Sequence, residues 1–308
     1  MIFRPKIFYE TYQQDYHSIK AVYLKKMLDN PDEYKNNFIE KGSDSIDDKQ
    51  SFRRVLLSDL RQNYFHCIET FFELFFALNP KGKKHFDDDI ILYRITNSDF
   101  RKNNKKVEEI ANNDRALDFL NERFKILEYD ISIGQYIFYM GIFNRQKFPK
   151  EVFDMMDESI EALKYGIPFL AKDFLRKEEY NAYKHGLRTI NSAKTFIISK
   201  SNKKDEGIRF DLSESMSYYS KTKNIDEIQI YTILFDPERD FKMTLFCSHL
   251  IHHMIEYRKI SFNKNNPRIE KSQFPITFFD KEEIKKCCTV NVKIQDIIFT
   301  SKRNESSS

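Results

Sequence analysis

The chain has 308 residues, with 51 Lys and Arg against 47 Asp and Glu for a net charge of +4, and 41% of its residues are hydrophobic, 29 of them Phe. Only 7 Gly and 8 Pro occur, too few for the frequent turns of an all-β sandwich, so long helices with few connections are expected. The weak positive charge permits nucleic-acid binding but lacks the excess of a dedicated nucleic-acid module, and Cys67, Cys247, Cys287 and Cys288 show neither CxxC spacing nor a disulfide framework.

Residues 10–29 and 31–40 read as helices broken at Asn30-Pro31, followed by a polar loop over 41–48. From 50 to 78 there is no Gly or Pro, and Phe52, Leu56, Leu60, Phe65, Phe72 and Phe76 recur at helical spacing until Asn79-Pro80-Lys81-Gly82 stops the run. Shorter helices are expected at 86–96, 104–112 and 114–128, a buried aromatic one at 131–143, and two more at 150–164 and 168–195, the last with Pro168 near its start. The charged run 200–206 marks a boundary, beyond which 207–212 and 227–235 alternate as strands do. Asp236 is an N-cap with Pro237 as the first residue of a helix over 238–261, 290–299 reads as a last strand, and 302–308 as a tail. The resulting fold class is mainly α: a helical bundle body over 1–200 with a smaller C-terminal α+β segment over 201–308. No apolar signal core begins the chain and no stretch approaches the ~20 apolar residues of a membrane span. A cytoplasmic protein without a membrane partner is expected, and no cofactor motif is present.

On the long helix Asp59, Asn63, His66, Glu69 or Thr70, and Glu73 succeed one another at three- and four-residue steps, one polar line on an otherwise apolar helix. His66 and Glu69 are a turn apart, the spacing at which a carboxylate orients an imidazole for proton transfer. The same line also fits a solvent face. A second group lies in 178–192: Glu178, Asn181, His185, Arg188 and Ser192 share a face, Tyr183, Leu187 and Ile190 the opposite one, and Gly186 interrupts the helix.

Asn181, His185 and Gly186, as Asn-x-x-x-His-Gly on a late helix of a helical domain, resemble the signature of the HEPN superfamily, in which an Arg precedes the Asn. Tyr180 occupies that Arg position, while Arg61 to His66 has the Arg-x4-His spacing on the early helix. The resemblance covers the helices from 50 to 195. It implies RNA or nucleotide as partner, a homodimer, a role in stress or anti-phage defence, and either a metal-independent endoribonuclease or a degenerate relative. Under it, His185, His66, Asn181 and Glu69 are the catalytic candidates and Arg61, Lys184 and Arg188 the phosphate-binding ones. Glu69 and Glu178 would orient the imidazoles, and His66 and His185 would meet in one cleft, about one helix spacing of ~10 Å apart. A base for the 2′-OH and a cation at the phosphate are what such cleavage needs.

Two other classes remain open. In a non-catalytic interaction protein both polar stripes are solvent or dimer faces. In a metal-dependent helical enzyme, His249, His253 and Glu256 have legal spacing for one ion, and His66, Glu69 and Glu73 for a share in a two-metal bundle. The runs Lys81-Gly82-Lys83-Lys84 and Arg101-Lys102-Asn103-Asn104-Lys105-Lys106 read as basic loops.

Overall fold

A computed structural model describes residues 5–38, 48–80, 91–126, 129–140, 149–186, 188–190, 195–198, 208–220, 222, 227–262, 276–292 and 296–302. The polar loop at 41–47, the basic run at 81–84, the charged run at 200–206 and the tail from 303 lie outside the described residues. The fold is mainly α with a smaller sheet-containing part. Among the described residues no helix is long and apolar enough to cross a membrane. The helices are α1 (Pro5–Thr11), α2 (Tyr16–Asp29), α3 (Pro31–Phe38), α4 (Asp48–Leu78), α5 (Ile91–Thr96), α6 (Phe100–Asn112), α7 (Ile133–Tyr139), α8 (Lys150–Phe174), α9 (Lys177–His185), α10 (Pro237–Phe262) and α11 (Lys281–Cys288). The strands are β1 (Arg123–Ile126), β2 (Tyr129–Ser132), β3 (Thr189–Ile190), β4 (Thr195–Ile198), β5 (Ile208–Asp211), β6 (Ser215–Ser220), β7 (Glu227–Leu234) and β8 (Asp296–Lys302).

The chain divides into two compact units, the first built from 1–19, 65–175 and 242–289, the second from 20–64, 176–241 and 290–308. These do not coincide with the expected division at 200, because the boundaries at 64/65 and 241/242 fall inside the long helices α4 and α10. Such helices carry different residues into different cores, which composition along the chain does not reveal.

In the first unit α6 and α11 pack on α8. Asp99 caps α6 by accepting from the backbone N–H of Arg101 and Lys102, so the expected basic loop at 101–106 is the first turns of a helix. Helix α7 is buried throughout, as its aromatic run predicts, and starts with a capping box in which Ser132 and Gln135 bond reciprocally. Phe71 stacks on Phe75, and Phe75 on Phe138, with centroids 5.4 and 6.1 Å apart. Arg258 is fully buried and donates to the carbonyls of Ile137 (2.6 Å), Tyr136 (2.8 Å) and Met254 (3.2 Å). The cation thereby satisfies orphan acceptors at the negative end of α7. Two expectations fail in this unit. Helix α8 runs straight through Pro168, because Ile160, Leu163, Ile167, Leu170 and Ala171 form one buried stripe on both sides of it and packing outweighs the lost hydrogen bond. The expected helix at 114–128 is instead a 3-10 turn and the antiparallel β1–β2 hairpin, with Phe124 opposite Ile131.

In the second unit the four-stranded sheet is antiparallel throughout, ordered β3-β6-β7-β8. Tyr218 and Ile233 bury one face of it against Ala182 of α9. Ala21, Leu24 and Leu28 of α2 pack with Leu56, Leu57 and Leu60 of α4, joined by Tyr183 and Phe235. Asp236 accepts from the Arg239 N–H at 3.1 Å, the expected cap of α10, and also from the Asn291 N–H at 2.7 Å. The expected helix over 168–195 is overturned at its C-terminal end. Gly186 ends α9 at φ 65°, a left-handed conformation that costs glycine nothing sterically, and Thr189–Ile190 and Thr195–Ile198 are strands.

Candidate functional site

Arg61 of α4 and Glu179 of α9 come from the two segments that the sequence singles out, and in the second unit they meet. Arg61 Nε donates to Glu179 Oε1 at 3.0 Å and Nη1 to Asp240 Oδ1 at 2.5 Å, all three residues buried. Arg176 Nε approaches the other Glu179 oxygen at 3.2 Å. Burial drives the Asp240 carboxyl up to about 6, outweighing the opposing pull of Arg61. Desolvation of a carboxyl without direct access to water exceeds even a short ion pair here. Arg61, read from sequence as a phosphate ligand, therefore has its guanidinium committed to two carboxylates.

The rest of that segment is spread over the surface of α9. Asn181 and Lys184 are exposed, the Lys184 ammonium lying 5.7 Å from the Tyr180 ring centroid. Arg188 lies 3.2 Å from Glu178 and donates to the Tyr219 carbonyl at 3.0 Å. The Ser220 hydroxyl donates to the second Glu178 oxygen at 3.1 Å. His185 closes α9, and its side chain lies outside the described residues.

A pocket of about 700 Å³ opens in the same unit, walled by α4 through Arg54, Ser58, Asp59 and Gln62, by Tyr183 of α9, and by β3 and β6. Ser51, Arg54, Val55, Ser58, Asp59 and Gln62 follow the i, i+3, i+4, i+7, i+8, i+11 rule of one helix face. Arg54 Nε and the Tyr183 hydroxyl are buried without a hydrogen-bond partner. Burial pushes the Tyr183 phenol well above its ordinary value, Glu179 adding to the effect, so it stays a neutral donor. Burial also raises the Asp59 carboxyl, against the attraction of Lys20. Sequence reasoning missed Arg54, although its spacing to Ser58 and Gln62 was readable. It placed Tyr183 on the apolar face, where nothing local marks an unsatisfied hydroxyl.

His66 belongs to the first unit, as do Glu69 and Glu73, so the expected meeting of His66 with His185 joins residues of separate units. His66 lines a pocket of about 400 Å³ with Phe8, Tyr12, Tyr16, His17, Thr70 and Glu73. The His66 and His17 rings are 4.9 Å apart, edge to face. Thr70 donates its only hydroxyl proton to the His66 carbonyl at 2.9 Å. The proton in its 3.4 Å contact with His17 Nε2 must therefore come from the imidazole. Burial pushes the Tyr12 phenol up to about 12, and burial followed by Glu69 raises the Glu73 carboxyl. Asn63, expected on the same polar line, is buried.

The proposed metal ligands do not converge. His253 is buried among Tyr139, Tyr257 and Phe279, with Nε2 2.9 Å from Thr277 Oγ1. Burial depresses its pKa to about 3. His249 is exposed, and Glu256 accepts from Gln14 Nε2 at 3.0 Å and from Lys259 at 3.3 Å. Among the described residues no three His, Cys, Asp or Glu are grouped to hold a metal ion. Comparison of the chain with protein-family models, curated proteins and solved structures finds no match in any of the three.

Proposed function

We propose that the protein is an RNA- or nucleotide-directed binding protein, HEPN-like in its central helices, which takes a phosphate ester in the pocket of the second unit. The observation that carries this reading is the presence on one pocket of two buried donors without partners, Arg54 Nε and the Tyr183 hydroxyl. A buried donor left unpaired costs about 1–3 kcal/mol. Phosphoryl oxygens would satisfy both donors, and the planar guanidinium suits their geometry. The volume of about 700 Å³ lies within the ~300–1,000 Å³ of small-molecule sites. Val55, Ile190 and Met216 offer apolar wall for a base, and Asp59 an acceptor for sugar hydroxyls.

Binding is favoured over cleavage because Tyr180 stands at the Arg position of the motif and Arg61 is engaged by Glu179 and Asp240. A role in stress or anti-phage defence rests on the same resemblance.

Fluorescence anisotropy of labelled AMP and of a short single-stranded RNA, in EDTA, tests this. Saturable binding is expected, weakened about tenfold or more by Arg54→Gln, with the RNA intact on a gel. Equal binding by the variant removes the pocket from the proposal. Cleavage that His185→Ala abolishes would replace binding by metal-independent ribonuclease action. A second reading, a protein-interaction module, is supported by Tyr219, Ile228 and Phe299, 41%, 54% and 37% exposed on one face of the sheet of the second unit. Failure to bind either AMP or RNA would favour it.

A further inference from the structure

The 400 Å³ pocket of the first unit has a lining unlike that of the second. Its walls are rings: Phe8 and Tyr12 have centroids 5.5 Å apart, Tyr16 and His17 5.1 Å, and Tyr16 and His66 6.4 Å. Leu74 and Ile95 add apolar surface. Glu73 is the only carboxylate among the lining residues, which include no Lys or Arg. An anion entering there would meet Glu73 with no Lys or Arg on the wall to offset it. A positive charge would meet a carboxylate among several aromatic rings, the groups that recognise ammonium ions. A metal ion needs several converging donors, and no three His, Cys, Asp or Glu among the described residues are grouped to hold one.

We infer that the first unit carries a binding site for a small organic cation of the alkylammonium class, its charge held by Glu73 and its carbon skeleton by Phe8, Tyr12 and Tyr16. The site is separate from the phosphate-ester pocket and does not depend on it. His17 and His66 complete the wall.

The experiment is calorimetric titration of the intact protein at pH 8 with n-butylammonium chloride and with choline chloride, against sodium butyrate as the anion of matching size. Both cations are expected to bind saturably and butyrate not to bind. Glu73→Gln should weaken butylammonium about tenfold or more, the loss expected for one hydrogen bond to a charged group. Tyr16→Leu should weaken choline by several-fold, the loss of one ring face. Glu73 is exposed and Tyr16 is 45% exposed, so neither change empties a core, and an unchanged circular dichroism spectrum and thermal midpoint verify the fold. Butyrate binding as well as butylammonium, an unchanged affinity in Glu73→Gln, or no binding of either cation overturns the inference.

Discussion

In the second unit Arg61 is buried against Glu179 and Asp240, two side chains that titrate. In the first unit Arg258 is buried just as deeply, but the carbonyls of Tyr136, Ile137 and Met254, which do not titrate, accept its hydrogen bonds. Burial acts on the neighbouring ionisable groups in both units with opposite consequences. It keeps Asp240 protonated to about 6 in one and His253 neutral down to about 3 in the other. The same desolvation therefore makes acid favourable to one region and unfavourable to the other.

The largest effect should come from the arginines. Arg61→Met leaves Asp240 buried without its ion-pair partner and Glu179 with Arg176 alone, and should cost up to about 5 kcal/mol. Arg258→Met leaves the carbonyls of Tyr136, Ile137 and Met254 without this donor, about 1–3 kcal/mol. Urea unfolding of both variants measures this, and the contrast breaks if Arg258→Met is the costlier.

Next is the pH response. His253 has a folded pKa depressed below the ordinary imidazole value, so the unfolded chain binds more protons at intermediate pH. Its contribution is present above pH 6.5 and falls as pH drops toward 3, by roughly 5 kcal/mol. His253→Gln should flatten that limb of the stability curve. Asp240 has a raised folded pKa, so its contribution is full below the ordinary 3.8 and is lost as pH rises through about 6. Asp240→Asn should remove that opposite slope. If both variants keep the wild-type profile, burial does not set these ionisations.

The smallest effects distinguish two glycines. A Cβ at Gly166 would sit 2.7 Å from Phe246 Cζ and 2.8 Å from Ile284 Cγ2. Gly166→Ala should therefore cost about 1–3 kcal/mol by overpacking. At Gly186 nothing lies within 4 Å but φ is 65°, so Gly186→Ala should cost about 1 kcal/mol through backbone strain alone. Thermal unfolding measures both losses, and the comparison fails if Gly186→Ala is the costlier.

Much of the scaffold was legible in the sequence. The Phe and Leu spacing marked α4, Asp236-Pro237 marked the start of α10, and the alternation over 227–235 marked β7. These signals are local: a cap, a period, a fixed proline φ. The first turns of α6 were equally local, yet the basic residues at 101–106 hid the cap at Asp99.

The candidate sites were legible only in part. His66 and Glu73 do line one pocket, but Phe8, Tyr12 and Tyr16, which complete it, are some fifty residues or more away in the chain. Arg61 is separated from Glu179 by 118 positions and from Asp240 by 179. Nothing in Arg61-x4-His66 says that its guanidinium will be taken by carboxylates.

By itself the sequence determined the mainly helical class, the cores of α4, α7 and α10, and the strands β5 and β7. Tertiary structure alone decided that α8 passes Pro168, that the chain after Gly186 turns into strands, and that Arg54 and Tyr183 share a pocket with unpaired donors. Periodicity and capping are set by neighbours within a few residues. Burial and the satisfaction of a polar atom are set by whichever distant segment packs against it.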